Sequence, residues 1–262
     1  MGAVLLAFLP HSGLPVAEAS APVALAETAA DDVGFVSTYE EADAEDVDEQ
    51  EFLEDRRLLE GVAKDLNRQL VIPATIKLTG TSCGHTDVGY IAKQSKIEVC
   101  YEYVAEVRDL FEKDGDENVA KKTSGVLTET LYHEAAHALI DKLKLPFTGL
   151  EEQVCDQFAA YQLIPQGATG QEALLASAEN MTLMAPRPEK TDFSATHPPY
   201  PLRSAAYRSY LYGADPERWE HLVDGALLSR DRSAWSEEEY QHLRRGWSNV
   251  LKPHVETAEQ GA

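Results

Sequence analysis

The sequence predicts an α+β fold, mainly α, with a small antiparallel sheet. Three observations carry this. From about residue 100 onward, apolar positions recur at a spacing near 3.6, interrupted at Pro146, Gly149, Pro165 and Gly213. Two short runs rich in β-branched residues, 75–79 and 96–101, lie between the early helical stretches. The segment 131–140, Leu-Tyr-His-Glu-Ala-Ala-His-Ala-Leu-Ile, combines helical spacing with metal-ligating side chains.

At 262 residues the chain is long enough for one large domain or two small ones. The expected organisation is a leader and acidic disordered linker over 1–50, one catalytic domain over 51–253 and a disordered tail over 254–262. In the leader, Val4 to Leu9 is a short apolar core, and Ala24-Leu25-Ala26 fits a signal-peptidase site. No Lys or Arg precedes Arg56, so a positive n-region is missing, as it would be if the start were placed too far downstream. The expected location is secreted or cell envelope, with a cytoplasmic protein carrying a flexible leader as the alternative. Residues 31–55 hold little apolar side chain and read as disordered. Net charge is −22, from 23 basic and 45 acidic residues. That excludes a general nucleic-acid binder and argues against docking on anionic lipid. No stretch is long enough to span a membrane as a helix. Of the three cysteines, Cys83 and Cys100 are positioned to close a short loop in an oxidising compartment, and Cys155 reads as buried and free.

Taken in order, 51–70 fits a helix ended by Pro73, and 75–79 a strand. Residues 90–92 and 96–101 form a strand pair, with 97–101 the expected sheet edge beside a cleft. Helices follow at 103–111 and 125–143. Leu145-Pro146-Phe147-Thr148-Gly149 turns the chain into a helix over 150–164, stopped at Pro165. Further helices are expected at 171–184, from Arg203 to Tyr212, at 216–228 and at 236–251. The last carries a capping-box signature at Ser236-Glu237-Glu238-Glu239. Residues 185–201 form a proline-rich loop.

The chemistry sits at 133–137. Positions i and i+4 share one helix face, so His133 and His137 can aim two imidazoles at one point. Two neutral imidazoles suit Zn²⁺, and Glu134 beside them can take a proton from a bound water. The small apolar spacers Ala135, Ala136 and Ala138 indicate a buried segment rather than a solvated face with two unrelated histidines. On the next helix, Glu152 and Asp156 are again i and i+4. Glu152 would complete a two-histidine, one-glutamate set with one position left for water, and Asp156 would orient a ligand histidine. Asp156 and, more remotely, Glu151 stay open as alternative third ligands.

His-Glu-x-x-His followed by Glu-x-x-x-Asp resembles the gluzincin pattern of thermolysin-like peptidases. The chain is also similar to a bacterial family of metallopeptidase-like proteins known as a domain of unknown function. The likeness rests on Cys83-Gly84, Cys100-Tyr101-Glu102, the His-Glu-x-x-His helix and Leu145-Pro146-x-x-Gly149-x-Glu151-Glu152. It is continued by His197 with Arg203 six residues on, and by Tyr212-Gly213-x-Asp215-Pro216. It spans roughly 55 to 252. Ala136 stands where that family usually has Gly. The resemblance implies a zincin-like domain with His133, His137 and Glu152 as ligands of one zinc per chain, and Glu134 as the base. It further implies His197 as a donor to the oxyanion, with Asp156 and Arg203 behind the ligands. Tyr200 and Tyr207 are weaker oxyanion candidates. The expected reaction is hydrolysis of a peptide or protein substrate. The alternatives are a metal-binding adaptor or sensor without activity, an amidase acting on non-peptide substrates, and a metal-free helical protein.

Overall fold

A computed structural model describes residues 33–185, 190–225 and 227–255. The first strand, β1 (Gly34–Tyr39), falls inside the segment expected to be a disordered linker. The linker expectation fails because local composition conceals tertiary partners. Phe35 is buried. The Asn67 side chain accepts from the Phe35 N–H and donates to its carbonyl, both at 2.8 Å. Gly34 has φ +102, and a Cβ there would stand 2.4 Å from Asn67 Oδ1, so only glycine fits. The acidic run is likewise not all solvated. In helix α1 (Val47–Asp55), Phe52, Leu53 and Glu49 are buried, and Glu49 pairs with Arg108 from far along the chain.

The single helix expected over 51–70 is two. α1 ends before Arg57, which sits in the left-handed region at φ 51, and α2 (Leu58–Gln69) then follows. Strands β2 (Thr75–Thr81), β3 (Val88–Ile91) and β4 (Lys96–Cys100) complete a four-stranded sheet of order β1-β2-β4-β3. The sheet is mixed, not antiparallel. β1 and β2 run parallel because α1 and α2 carry the chain back between them. β3 and β4 form an antiparallel hairpin, and β4 returns parallel to β2. The strand expected at the edge, 97–101, therefore lies inside the sheet, and the edge strands are β1 and β3, of which β3 is the one beside α4. A disulfide joins Cys83 to Cys100, bridging the loop after β2 to the end of β4. Cys155 is free and buried.

Seven further helices follow among the described residues: α3 (Tyr101–Asp114), α4 (Val119–Leu143), α5 (Glu151–Leu163), α6 (Ala168–Met184), α7 (Tyr200–Ala214), α8 (Pro216–Trp219) and α9 (Arg230–Leu251). α4 is central and packs against α3, α5, α6 and β3. It is buried nearly all round from Gly125 to Ile140, which is why it shows no clean amphipathic stripe. A Cβ on Gly125 would come within 2.9 Å of Ala173 Cα, so α4 and α6 meet backbone to backbone there. Several helix boundaries differ from expectation, with α4 beginning at Val119 rather than at 125. The helix expected over 216–228 stops at Trp219 and passes through a 3₁₀ turn, ending before Asp224 at φ 65. α9 begins at Arg230, capped by the Ser229 side chain, and not at Ser236. Ser236 is buried within the helix, and its hydroxyl bonds to Ser209 of α7 at 2.7 Å.

Residue 254 is tied down, its carbonyl accepting from the Val71 N–H at 2.7 Å. The leader expected in 1–32 and the rest of the tail from 256 lie outside the described residues. Among the described residues no helix is long and apolar enough to cross a membrane.

Candidate metal centre

α4 sets His133 and His137 one turn apart, with ring centroids 5.2 Å from each other. Leu150 ends the turn after α4 in extended backbone, and α5 starts at once with Glu151 and Glu152. Both acids lie in its first turn, where the helix dipole favours negative charge. Glu152 thereby faces α4. Its Oε2 lies 3.2 Å from His133 Nε2, 3.6 Å from His137 Nε2 and 2.8 Å from His197 Nε2. His197 reaches the same point from the loop before α7, its ring stacked near that of His133 with centroids 6.3 Å apart.

The far side of each helix histidine is held by an acid. His133 Nδ1 meets Asp156 Oδ1 at 2.9 Å, and His137 Nδ1 meets Glu151 Oε1 at 2.9 Å. This fixes both rings with Nε2 toward the centre. Asp156 is buried and its two oxygens are taken. Arg203 donates to Oδ2 at 2.9 Å and to Oδ1 at 2.6 Å, and the Tyr207 hydroxyl donates to Oδ1 at 3.1 Å. The same hydroxyl lies against buried Glu129, so its one proton is shared between the two carboxylates. Glu134 sits beside the centre, 8 % exposed, and its Oε2 accepts from the Tyr90 N–H at 2.8 Å. Tyr90 belongs to edge strand β3, and its hydroxyl donates to Asp141 at 2.7 Å.

The electrostatics follow from these contacts. Burial opposes a charged His133, yet Asp156 and Glu152 outweigh it and push its pKa up to about 10. Burial opposes His137 in the same way, and Glu152 with Glu151 push it up to about 9. Burial works to raise Glu152, but the three imidazoles hold it well below the ordinary carboxylate range. Asp156 is held down to about 2 by Arg203 and His133 in spite of its burial. Glu134 goes the other way. Burial raises it, and His133 and His137 only partly offset that. A carboxylate raised toward neutrality is a suitable proton acceptor and donor.

The residues present fit a divalent metal. Donor atoms of His133, Glu152 and His197 lie within 4.8 Å of one another, His137 presents its Nε2 to the same oxygen, and nitrogen with carboxylate oxygen is a donor set that zinc accepts. The structure thus brings together His133, Glu134, His137, Glu152 and His197, and sets Asp156 and Arg203 behind them. Glu151 is engaged with His137 at the rim. Tyr200 lines an adjoining cavity, and the hydroxyl of Tyr207 is spent on Glu129 and Asp156. Sequence reasoning missed Tyr90, which acts through its backbone and leaves no side-chain signature. It also missed Glu129, although Glu129 and His133 stand at i and i+4 on α4.

Fold and site together define a mainly helical α+β protein with a histidine–carboxylate cluster suited to one metal ion. The profile of a protein family described as "Putative metallopeptidase" matches residues 39–251, and the chain belongs to that family. The match starts within β1, earlier than the resemblance read from 55 onward. No curated protein and no solved structure matches the chain. The family's description suggests a peptidase that works with a metal ion.

Proposed function

We propose that the protein is a zinc-dependent metallopeptidase. His133, His137 and Glu152 hold one zinc per chain, Glu134 is the general base and acid, and His197 donates to the oxyanion. The observation that carries this reading is the convergence of three imidazole Nε2 atoms on one oxygen of Glu152, with the raised carboxyl of Glu134 alongside. Zinc bound there supplies Lewis acidity toward the scissile carbonyl and makes a bound water more acidic. Glu134 takes the water proton and passes it to the leaving amine. The Tyr90 N–H holds Glu134 in place through Oε2. Asp156 and Glu151 keep the imidazoles turned toward the centre. β3, paired on one side only, offers an edge to which a substrate backbone can add.

The position of His197 favours a second role for it. Its Nε2 is closer to Glu152 Oε2 than that of His137, which suits a ligand as well as an oxyanion donor. The Cys83–Cys100 disulfide supports a secreted or cell-envelope location, since such bonds persist in oxidising compartments. Metal content and peptide hydrolysis, measured on the full chain beside Glu134→Gln, test the main reading. One zinc in both with cleavage only by the wild type is the expected result. Metal-free wild type, purified without chelators, would sink it.

A further inference from the structure

Next to His133 and Glu134 a cavity of about 220 Å³ runs in between α4 and α6. From α6 it is lined by Ser177, Asn180, Met181 and Met184, the spacing of a single helix face. From α4 the wall is Val126, Glu129, Thr130, His133 and Glu134. Val88 of β3 and Tyr103 of α3 add apolar surface. An apolar cavity of about 150 Å³ is known to hold benzene, so this one has room for a substituted ring. The two methionines favour an aromatic occupant, since thioether sulfur packs well against ring edges.

Two polar side chains of the α6 wall are unmatched. Ser177 Oγ and Asn180 Oδ1 are buried without a hydrogen-bond partner among the described residues. Ser177 is 1 % exposed and Asn180 is 3 % exposed. The Asn180 amide nitrogen reaches only Met184 Sδ, at 3.4 Å. The Tyr103 hydroxyl, by contrast, is already paired with Thr130 at 3.2 Å. Buried polar atoms left unpaired are costly, and since both residues line the cavity, a ligand that enters it and draws these side chains toward itself can satisfy them. Arg203 lines the same cavity together with the acids Glu129 and Glu134, so neither sign of charge prevails and a neutral polar occupant fits it. A phenol answers both needs, donating to Asn180 Oδ1 and accepting from the Ser177 hydroxyl.

We infer that this cavity takes a tyrosine side chain of the substrate, with its ring between the α4 and α6 walls and its hydroxyl on Ser177 and Asn180. The peptide part of this inference rests on the proposed function; the affinity for a phenol does not. A pocket built to hydrogen-bond a hydroxyl rejects the analogue that lacks it far more strongly than an apolar pocket rejects a missing methylene.

The test uses the full chain and two probes, p-cresol as the isolated tyrosine side chain and toluene as that of phenylalanine. Isothermal titration should show p-cresol binding at least about tenfold tighter than toluene. The advantage should shrink in Ser177→Ala and disappear in Asn180→Leu. Should Asn180→Leu fail to fold, Ser177→Ala decides alone. Equal affinities, no binding of p-cresol, or an advantage unchanged in Ser177→Ala would overturn the inference. A peptide panel run beside it separates the two claims. Cleavage that favours tyrosine over phenylalanine supports both, and cleavage indifferent to the hydroxyl overturns the pocket. If no peptide is cut, the peptidase reading fails while the p-cresol result still decides the cavity.

Discussion

Glu152 and Asp156 stand one turn apart on α5, carry the same functional group and play opposite parts. Asp156 is 4 % exposed and both of its oxygens are engaged, by Arg203, His133 and Tyr207. Glu152 keeps 17 % of its side chain in solvent and meets three imidazoles with the single oxygen Oε2. A buried carboxylate with both oxygens held by fixed partners is rigid framework. A carboxylate facing three imidazoles with one oxygen is a place where a cation can enter. Chemistry alone does not separate the two; what α7 and the preceding loop bring against each of them does.

The sharpest way to break this contrast is Asp156→Ala, which leaves the Arg203 guanidinium buried and unpaired. It should lower folding stability by about 3–5 kcal/mol, read from denaturant midpoints. A loss as small as that of a surface ion pair would show that Asp156 is not framework. His197→Ala comes next. If His197 serves the oxyanion, zinc stoichiometry should hold while turnover falls by about 10²–10³-fold, an effect of about 2.7–4 kcal/mol. Loss of zinc instead would make His197 a ligand. Glu152→Ala should cost the metal-free protein less than about 2 kcal/mol, because histidines relieved of their partner can go neutral. The same change should abolish zinc-dependent stabilisation, so that a chelator lowers the melting temperature of the wild type and leaves the variant unmoved.

The smallest effect concerns the strand that holds Glu134. Asp141 lies below its ordinary pKa of 3.8, at about 2, chiefly because the Tyr90 hydroxyl donates to it, with Lys142 and Lys144 adding. Stabilisation from a depressed carboxylate is present above about pH 4 and is lost as pH falls from about 4 to about 2. Tyr90→Phe should flatten that part of the stability–pH curve. With the Asp141 side chain 31 % exposed, the change should stay under about 1 kcal/mol. A curve that keeps its full slope would show that the hydroxyl contributes nothing.

Much of the helical part was legible in the sequence. The end of the helix around His133 and His137 and the start of the next at Glu151 were expected where they lie, because proline and glycine mark the turn between them, while α4 begins six residues before the expected 125. β1 was not, although Phe35 and Val36 gave a weak strand signal. Its partner β2 and its anchor Asn67 lie more than 30 residues further on, and a local reading sees only the acids around it. The start of α9 was misplaced for a related reason. Ser236 carries a local capping signature, and only its burial against Ser209, inside a helix that Ser229 caps, shows that the start lies earlier.

Helical periodicity by itself determined that His133 shares a face with His137 and Glu152 with Asp156, since i and i+4 are neighbours on any α-helix. Periodicity is a property of one element, so it says nothing of what stands opposite. Only the tertiary structure decided that Glu152 meets three imidazoles while Asp156 is closed off by Arg203 and Tyr207. It likewise decided that β4 lies inside the sheet and β3 at an edge, that a backbone N–H of β3 holds Glu134, and that α6 brings two unmatched polar groups near the centre. Each of these depends on how separate elements approach one another, which the spacing of residues along one of them does not encode.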